Sequence, residues 1–198
     1  MIQDESKREE ELKSVKDGVV SCQKCPLFQT RINPVIGEGN HKAKIVFIGE
    51  APGAQEDKEG RPFCGRAGKI LDELLNSAGI KREDVYICNI LKCRPPGNRD
   101  PKSEEIQACT IYLQRQIEAI KPEVICTLGN YATKYILDKY GLKDKIEGIS
   151  KIHGKIFEMS NLFGSLNVIP LYHPAVVTYN PNMKGLLEED FKILKKFK

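Results

Sequence analysis

The feature that most constrains the fold is an alternation of short apolar runs with segments of helical periodicity. The runs are "KIVFIG" (44–49), "DVYICNIL" (84–91), "EVICTLG" (123–129) and "LNVIPLYH" (166–173), and each has the length and composition of a strand buried in a parallel sheet. Helical patterns occupy 67–79, 100–122 and 130–140, and a C-terminal helix follows the last run. This order predicts an α/β fold, with a mainly parallel four-stranded sheet covered by helices on both faces.

The ends of these segments carry their own signals. The helix at 67–79 ends at Gly79, and the helix at 100–122 has Asp100 placed as N-cap, Pro101 at its first position and Pro122 beyond its end. The segment 151–159 is expected to add a hairpin or an edge strand, and the charged segment 1–14 a helical or frayed lead-in.

Composition limits the class of protein. With 198 residues, 40% of them hydrophobic, the chain is expected to form one domain over 1–198. No apolar run approaches the roughly twenty residues of a membrane helix, and no export signal opens the sequence, so a cytoplasmic protein without membrane contact is expected. The net charge of +4 does not by itself indicate nucleic acid.

Basic residues are concentrated in two places. Lys92, Arg94, Arg99 and Lys102 are opposed only by Asp100, and the C-terminus reads "FKILKKFK". For either cluster taken alone, a solvated face is the commoner explanation.

Unusual residues follow three of the predicted strands. A Gly-rich loop, "GEAPGAQEDKEGRPFCGRAG", begins at Gly49, Asn89 lies near the end of the second strand, and "HPA" (173–175) follows the fourth. Ligands of such sheets bind beyond the carboxyl ends of the strands, so the three segments predict one site.

Each of these features has a functional and a structural interpretation. The loop glycines allow close backbone approach to a ligand, but their spacing matches neither a dinucleotide fingerprint nor a P-loop. Phe63 could stack on a planar ligand or plug the core. Asn89 is a strand amide that needs partners, whether structural or in a ligand, and His173 could be a ligand contact or a satisfied structural histidine.

The seven cysteines favour metal or redox use over disulfides, because no export signal is present. Cys22 and Cys25 form a C-x2-C pair, while Cys93 and Cys109 come from distant segments. A zinc site would want a second tight pair or a histidine pair; four scattered thiolates are compatible with a [4Fe–4S] cluster. The alternatives are that only the first pair binds a metal, or that all are small buried residues.

The combination of "GEAPGAQEDKEGRPFCGRAGKILDELL", "NILKCRPPGNRDP…EEIQAC" and "YHPAVV…NP" resembles the iron–sulfur uracil-DNA glycosylases of family 4. The resemblance extends from Cys22 to Pro181 in the same order. It implies a three-layer α/β/α fold, a [4Fe–4S] cluster and the excision of uracil from DNA in base excision repair.

The resemblance also implies roles for individual residues. Cys22, Cys25, Cys93 and Cys109 would bind the cluster, Phe63 would stack on the flipped uracil, Asn89 would read its pyrimidine edge and His173 would face O2. Gly49 and Ala51 would line the base pocket. For an enzyme that acts on DNA, the basic segment Lys92–Lys102 is the expected DNA-facing cluster, with Arg94 and Arg99 in contact with phosphates. The loop acids are Glu50, Glu56 and Asp57, and Glu50 and Glu56 compete to stabilise the sugar cation or orient water.

Three departures from the pattern of uracil glycosylases and two competing functions remain. Ala51 stands where the classical uracil glycosylases have an aspartate, which is similar to family 4. Val176, Val177, Thr178 and Tyr179 replace the leucines and arginine that many relatives have after "HPA", and Cys64 stands where an inert residue would serve. The competing functions are a metal-stabilised nucleic-acid-binding module without catalysis and an electron-transfer protein. Uracil-containing DNA is the expected partner of a monomer, with a DNA sliding clamp or another repair protein as a further partner.

Overall fold

A computed structural model describes residues 2–161 and 164–197 of the chain. The helices are α1 (Ile2–Val20), α2 (Ala54–Glu59), α3 (Arg66–Ser77), α4 (Ser103–Ile120), α5 (Asn130–Lys139), α6 (Ile149–Ile152), α7 (Val176–Tyr179) and α8 (Lys184–Lys192). The strands are β1 (Glu38–Gly39), β2 (Ile45–Gly49), β3 (Tyr86–Asn89), β4 (Val124–Leu128), β5 (Phe157–Asn161) and β6 (Gly164–Leu171).

The strands form one sheet in the order β1-β3-β2-β4-β6-β5. The four predicted strands are its contiguous parallel centre, since β2 pairs in parallel with β3 and β4, and β4 with β6. Two further strands, β1 and β5, add antiparallel edges, and of these only β1 was missed by the sequence prediction. Strand β5 confirms the edge strand expected within 151–159, although the residues up to Ile152 belong to α6.

Both faces of the sheet are covered by helices, as predicted. Along β2, Val46 and Ile48 point into a core shared with α1, α4, α5 and α6, while Ile45 and Phe47 point into a second core shared with α3 and α8. Strand β2 is therefore buried on both of its faces, and this explains its continuous hydrophobic run.

The helix expected over 100–122 begins later than predicted. Its N-cap is Lys102, and the Glu105 carboxylate accepts the Lys102 backbone N–H at 2.9 Å. Asp100 is therefore not the cap and Pro101 is not the first helical residue, because a glutamate three residues inside the helix satisfies the terminal amide instead.

The N-terminal lead-in is helical, and α1 packs along α4. Val15 and Val19 are buried in the interface, the Tyr112 hydroxyl donates to the Gly18 carbonyl at 3.0 Å, and Arg115 pairs with Glu11 at 2.6 Å. This packing brings the end of α1 and the cysteines after it against α4. Within the described ranges, no helix is long and apolar enough to cross a membrane.

Candidate functional site

A cavity of about 600 Å³ lies at the carboxyl ends of the central strands. Strand order changes direction there, with β3 on one side of β2 and β4 on the other. The cavity brings together the Gly49 loop, Asn89 and the segment after His173, as the sequence predicted. Its walls include Glu50, Ala51, Pro52, Gly53, Glu56, Phe63, Asn89, Pro95, Asn98, Arg99, Asp100, His173, Ala175 and Tyr179.

The loop begins with Gly49 because the structure leaves no room for a side chain at this position. A Cβ atom at this position would lie 2.3 Å from Asn89 Oδ1 and 2.8 Å from the Phe63 ring. Asn89 is 2% exposed, and within the described part of the chain its Oδ1 is a buried acceptor that has no hydrogen-bond partner. Leaving such an acceptor unpaired costs free energy, so it is the group most in need of a ligand donor.

Phe63 is held in a strained position by the loop. Its φ of +47° lies in the left-handed region, which a bulky side chain seldom adopts. Its carbonyl lies against Gly68, where a Cβ would come within 1.8 Å of the oxygen. The ring is 5% exposed, belongs to the core between the sheet and α3, and lies 5.6 Å from the His173 ring. The ring of Phe63 therefore plugs the core, as one interpretation predicted, and it also forms a wall of the cavity.

The His173 imidazole is neutral and its tautomer is fixed. Desolvation in the cavity lowers the pKa of His173 to about 4. Its Nδ1 accepts the backbone N–H of Ala175 at 3.2 Å, so the ring proton is on Nε2. The histidine can therefore donate through Nε2–H without carrying a charge.

The carboxylates of Glu56 and Asp57 in the loop accept hydrogen bonds from different parts of the chain. Glu56 Oε1 accepts the Gly65 backbone N–H at 2.9 Å, and a Cβ on Gly53 would lie 2.7 Å from Oε2. Asp57 accepts the Ile32 N–H at 3.0 Å and so braces the segment before β1. Glu56 faces the cavity in a fixed orientation, whereas Asp57 has a structural role.

Glu50 lies at the end of β2 with its carboxyl group in the cavity wall. Burial, and to a smaller extent the negative charge of Asp100, raises the pKa of Glu50 to about 7. Ala51 is partly buried and contributes a small apolar surface to the cavity. A carboxyl group poised near neutrality is typical of a proton acceptor in a catalytic site.

The predicted basic stretch divides into three environments. Lys92 is 1% exposed, so its assignment to the DNA-facing cluster was wrong. Arg94 is on the surface, with Nε donating to Asn98 Oδ1 at 2.7 Å. Arg99 pairs through both terminal nitrogens with Glu105, whose side chain is 1% exposed. Among the described residues, Arg94 therefore forms no ion pair, while Arg99 already neutralises a buried carboxylate.

Sequence reasoning missed several residues of the site. Tyr179 ends α7 at the cavity rim and is 88% exposed, and Asp100 lies in the wall instead of capping a helix. Arg31 donates to Cys93 Sγ at 3.2 Å and to two carbonyls at the end of α1. Exposure at a pocket rim and contacts between residues 62 positions apart leave no local pattern in a sequence.

The four predicted ligand cysteines line a second, smaller cavity. Cys22 and Cys25 follow α1, Cys93 follows β3 and Cys109 lies on α4; the cavity is also bounded by Val19, Lys24, Phe28, Arg31, Lys92, Ala108 and Tyr112. Cys109 Sγ accepts the Lys92 backbone N–H at 3.2 Å. Among the described residues, no three side chains of the cysteine, histidine or carboxylate type are grouped tightly enough for a single metal ion.

The remaining cysteines lie apart from this cavity. Cys88 and Cys126 are buried in strands, as expected, and burial raises the pKa of Cys88. Cys64, in the Gly49 loop, is partly exposed, and burial raises the pKa of its thiol to about 11.

Comparison with known proteins agrees with this geometry. Residues 36–195 match the model of the uracil DNA glycosylase superfamily. The chain is 52% identical over 183 residues to the type-4 uracil-DNA glycosylase of Saccharolobus solfataricus, covering 91% of this chain and 83% of the relative. It is 50% identical over 182 residues to that of Sulfurisphaera tokodaii, covering 91% and 82%. It is 45% identical over 192 residues to that of Thermotoga maritima, covering 96% of each. The chain therefore belongs to the uracil DNA glycosylase superfamily, and within it to the type-4 uracil-DNA glycosylases.

Proposed function

We propose that this chain removes uracil from DNA in the cavity at the ends of β2, β3 and β6, with Asn89 as the residue that reads the base. Uracil-DNA glycosylase activity, a hydrolase activity on DNA, follows from the family. One observation carries the assignment of the site. The buried Asn89 Oδ1 has no hydrogen-bond partner among the described residues, and it lies next to Gly49, where a side chain would collide with it. The DNA must present its base extruded from the helix, since an intact duplex cannot enter the cavity.

Asn89 matches uracil by the order of its donors and acceptors. Uracil carries an N3–H donor next to its O4 acceptor, so Oδ1 would accept from N3–H while the side-chain NH2 donates to O4. Cytosine presents an N3 acceptor and an amino donor in these places, which opposes like groups at both positions. Each mispaired buried group costs about 1–3 kcal/mol, so this one residue can supply most of the discrimination.

His173 would stabilise the leaving group. When the bond between C1′ and N1 breaks, the electron pair stays on the uracil and its charge spreads onto O2. A neutral imidazole with its proton on Nε2 is a preorganised donor for that oxygen, and the Ala175 contact keeps the ring in the required tautomer. Phe63 forms the adjoining wall, on which the extruded base would stack.

Glu50 is the better candidate for assisting the attacking water, and Glu56 for shaping the loop. Glu56 is fixed by the Gly65 amide, whereas no hydrogen bond to the Glu50 carboxylate is found in the described ranges. In its ionised form Glu50 would stabilise the sugar cation and take the proton of the water whose oxygen bonds to C1′. Glu50 then gives up this proton to solvent and the departed uracil anion takes one up, so the products are free uracil and an abasic site.

The cysteine cavity would hold a [4Fe–4S] cluster on Cys22, Cys25, Cys93 and Cys109. The residues fit this group, because four free cysteines from three segments of the chain meet there and two of their sulfurs accept N–H bonds, from Arg31 and Lys92. Each thiolate of such a cluster binds a different iron, so the sulfurs need not crowd around one ion. The cluster would supply no chemistry on the base; it would tie α1, α4 and the segment after β3 together.

The DNA would lie across the mouth of the cavity. Arg94, on the surface beside the cavity, would meet a phosphate, and the exposed ring of Tyr179 would contact the bases next to the extruded nucleotide. The chain would act as a single domain and a monomer on this DNA. A sliding clamp bound at the basic C-terminal segment stays a prediction.

The test is incubation of the purified protein with an oligonucleotide that contains one uracil, followed by alkaline cleavage at abasic sites. Cleavage at the uracil position and release of free uracil are expected, with no cleavage of the matched cytosine oligonucleotide. Tight binding of the uracil oligonucleotide without base release would instead favour the nucleic-acid-binding module that lacks catalysis.

A further inference from the structure

Lys92 is a buried lysine whose side chain joins the two cavities. It is 1% exposed, and its Nζ donates to the Asn89 carbonyl oxygen at 2.8 Å and to Gln116 Oε1 at 2.7 Å. Its own backbone N–H donates to Cys109 Sγ, and Cys93 is the next residue along the chain. One side chain thus reaches from the cysteine cavity to the end of β3.

The lysine amine donates hydrogen bonds only to uncharged oxygens, and it lies close enough to the thiols of Cys88 and Cys109 to interact with them electrostatically. Both of its acceptors are neutral, and none of the ion pairs found between the described residues includes Lys92. Burying a hydrogen-bonding amine without a carboxylate partner is costly, so such a residue is seldom kept for packing alone. Its position calls for a role that a hydrophobic side chain of the same length could not fill.

The contacts of Gln116 fix where the amine lies. Gln116 Nε2 donates to the Ile36 carbonyl and to the Tyr86 hydroxyl, both at 2.9 Å, so its Oε1 is left to accept from Lys92. Gln116 is 1% exposed and belongs to α4, the helix that also carries Cys109. Gln116 therefore holds Lys92 Nζ from the side of α4, and its own hydrogen bonds fix the orientation of its amide group.

The peptide group that follows Asn89 is bonded on both sides. Its carbonyl accepts from Lys92 Nζ, and its N–H, from Ile90, donates to the Gly49 carbonyl at 3.0 Å. This peptide plane is the base from which the Asn89 side chain projects into the active-site cavity. No hydrogen bond in the described structure holds the Asn89 side-chain oxygen, so its direction is set by packing and by the backbone from which the side chain projects.

We infer that Lys92 is a positioning residue for uracil recognition, which holds the Asn89 amide in register with the base by clamping the Asn89 carbonyl to α4. The inference rests on the proposed function, since it assigns Lys92 an effect on the same site. Through Lys92, the geometry of the cysteine-bearing helix sets the geometry of base reading. The residue acts through Asn89 and does not touch the base.

The experiment is a double-mutant cycle on the cluster-loaded protein. Lys92→Met keeps the length and removes the donor, and it is measured alone and in an Asn89→Ala background. Single-turnover uracil release and inhibition by free uracil are recorded for all four proteins. We expect Lys92→Met alone to lower the rate and the affinity for free uracil about tenfold or more, and to add less than about twofold once Asn89 is gone.

A change that only destabilises the fold serves as the control. Leu113→Ala truncates a fully buried side chain of α4 outside this network, so it should lower the melting temperature while leaving uracil inhibition unchanged at temperatures where the protein is folded. Losses from Lys92→Met that are equal in both backgrounds would overturn the inference, because the lysine would then act on the fold and not through Asn89.

A second variant covers the case in which Lys92→Met does not fold. Gln116→Met releases the amine on the α4 side but leaves the lysine in place, and it should show a smaller loss that again disappears in the Asn89→Ala background. Additive losses from this variant would also overturn the inference. If the wild-type chain itself released no uracil, the proposed function would fail instead, and the two failures are thus distinguished.

Discussion

Asn89 Oδ1 lies where the side chain of Gly49 would be: a Cβ at Gly49 would approach the oxygen to 2.3 Å. Gly49 at the end of β2 has no side chain, and this leaves room for the Asn89 amide at the end of β3 to face the cavity. The two residues are directly paired between the two strands. The first glycine of the loop is therefore required by the pocket and not by a backbone turn.

Gly49→Ala tests this relationship. The added methyl group must displace either Asn89 or the Phe63 ring, so we expect uracil release to fall by at least about tenfold, with a stability loss of about 1–3 kcal/mol from overpacking. Single-turnover excision and thermal unfolding measure the two effects. Gly185→Ala in α8 is the matched control, because a Cβ there meets nothing within 4 Å and activity should not change.

Asn89→Asp tests the reading of the base. It replaces the amide donor with an acceptor, so uracil release should fall steeply, and weak release of cytosine should appear if the pocket tolerates the exchange. Asn89→Ala is the control, and it should lose uracil activity without gaining cytosine. Excision by Asn89→Ala at nearly the wild-type rate would reduce Asn89 to an ordinary strand residue.

The pH dependence tests the role of Glu50. Because its pKa is raised to about 7, the carboxylate is protonated below that pH, and kcat/KM should fall as the pH drops through about 7. Asp100→Asn removes a negative charge that raises this pKa, so the midpoint should move to lower pH. Glu50→Gln should be slow at every pH; an unchanged profile in that variant would transfer the role to another group.

His173 does not limit this pH range. Its pKa of about 4 means that the ring stays neutral through the Glu50 transition, so a single acidic limb is expected between pH 5 and 8.

Iron content tests the cysteine cavity. Protein purified without oxygen should be brown and contain about four irons per chain, the number in a cluster with four thiolate ligands. Cys93→Ser should lose iron and stability, while Cys126→Ser, in a cysteine buried in β4 away from the cavity, should keep the iron. A colourless protein with one zinc per chain would contradict the assignment.

Salt dependence tests the DNA contact. Arg94→Ala should weaken binding of all sequences alike and lower the slope of log K against log salt by about one unit. Arg99→Ala is not an equivalent test, because it removes the arginine partner of the buried Glu105 carboxylate and should destabilise the start of α4. An unchanged slope in a folded Arg94→Ala protein would move the DNA path towards the C-terminal lysines.

The strand prediction succeeded for strands that are buried on both faces, because such burial requires a continuous run of apolar residues. The four central strands are continuous apolar runs because both faces of each are covered, whereas β1 has two residues and β5 begins just after a short helix, so neither edge left a comparable run. The start of α4 was predicted wrongly for a similar reason. Asp100 has the residue type of a cap, but Glu105 performs the capping, and a local rule cannot rank two such candidates.

The sequence by itself determined the order of strands and helices, the rim at which the site would lie and the residues that resemble those of the family, since these follow from periodicity and motif spacing. The tertiary structure decided what surrounds each of them. Lys92 and Arg94 are two residues apart in the same basic stretch, yet one is buried against Asn89 and Gln116 and the other is on the surface. The burial and the hydrogen-bond partners of Lys92 depend on α4, a segment far away in the chain, and a local pattern carries no record of it.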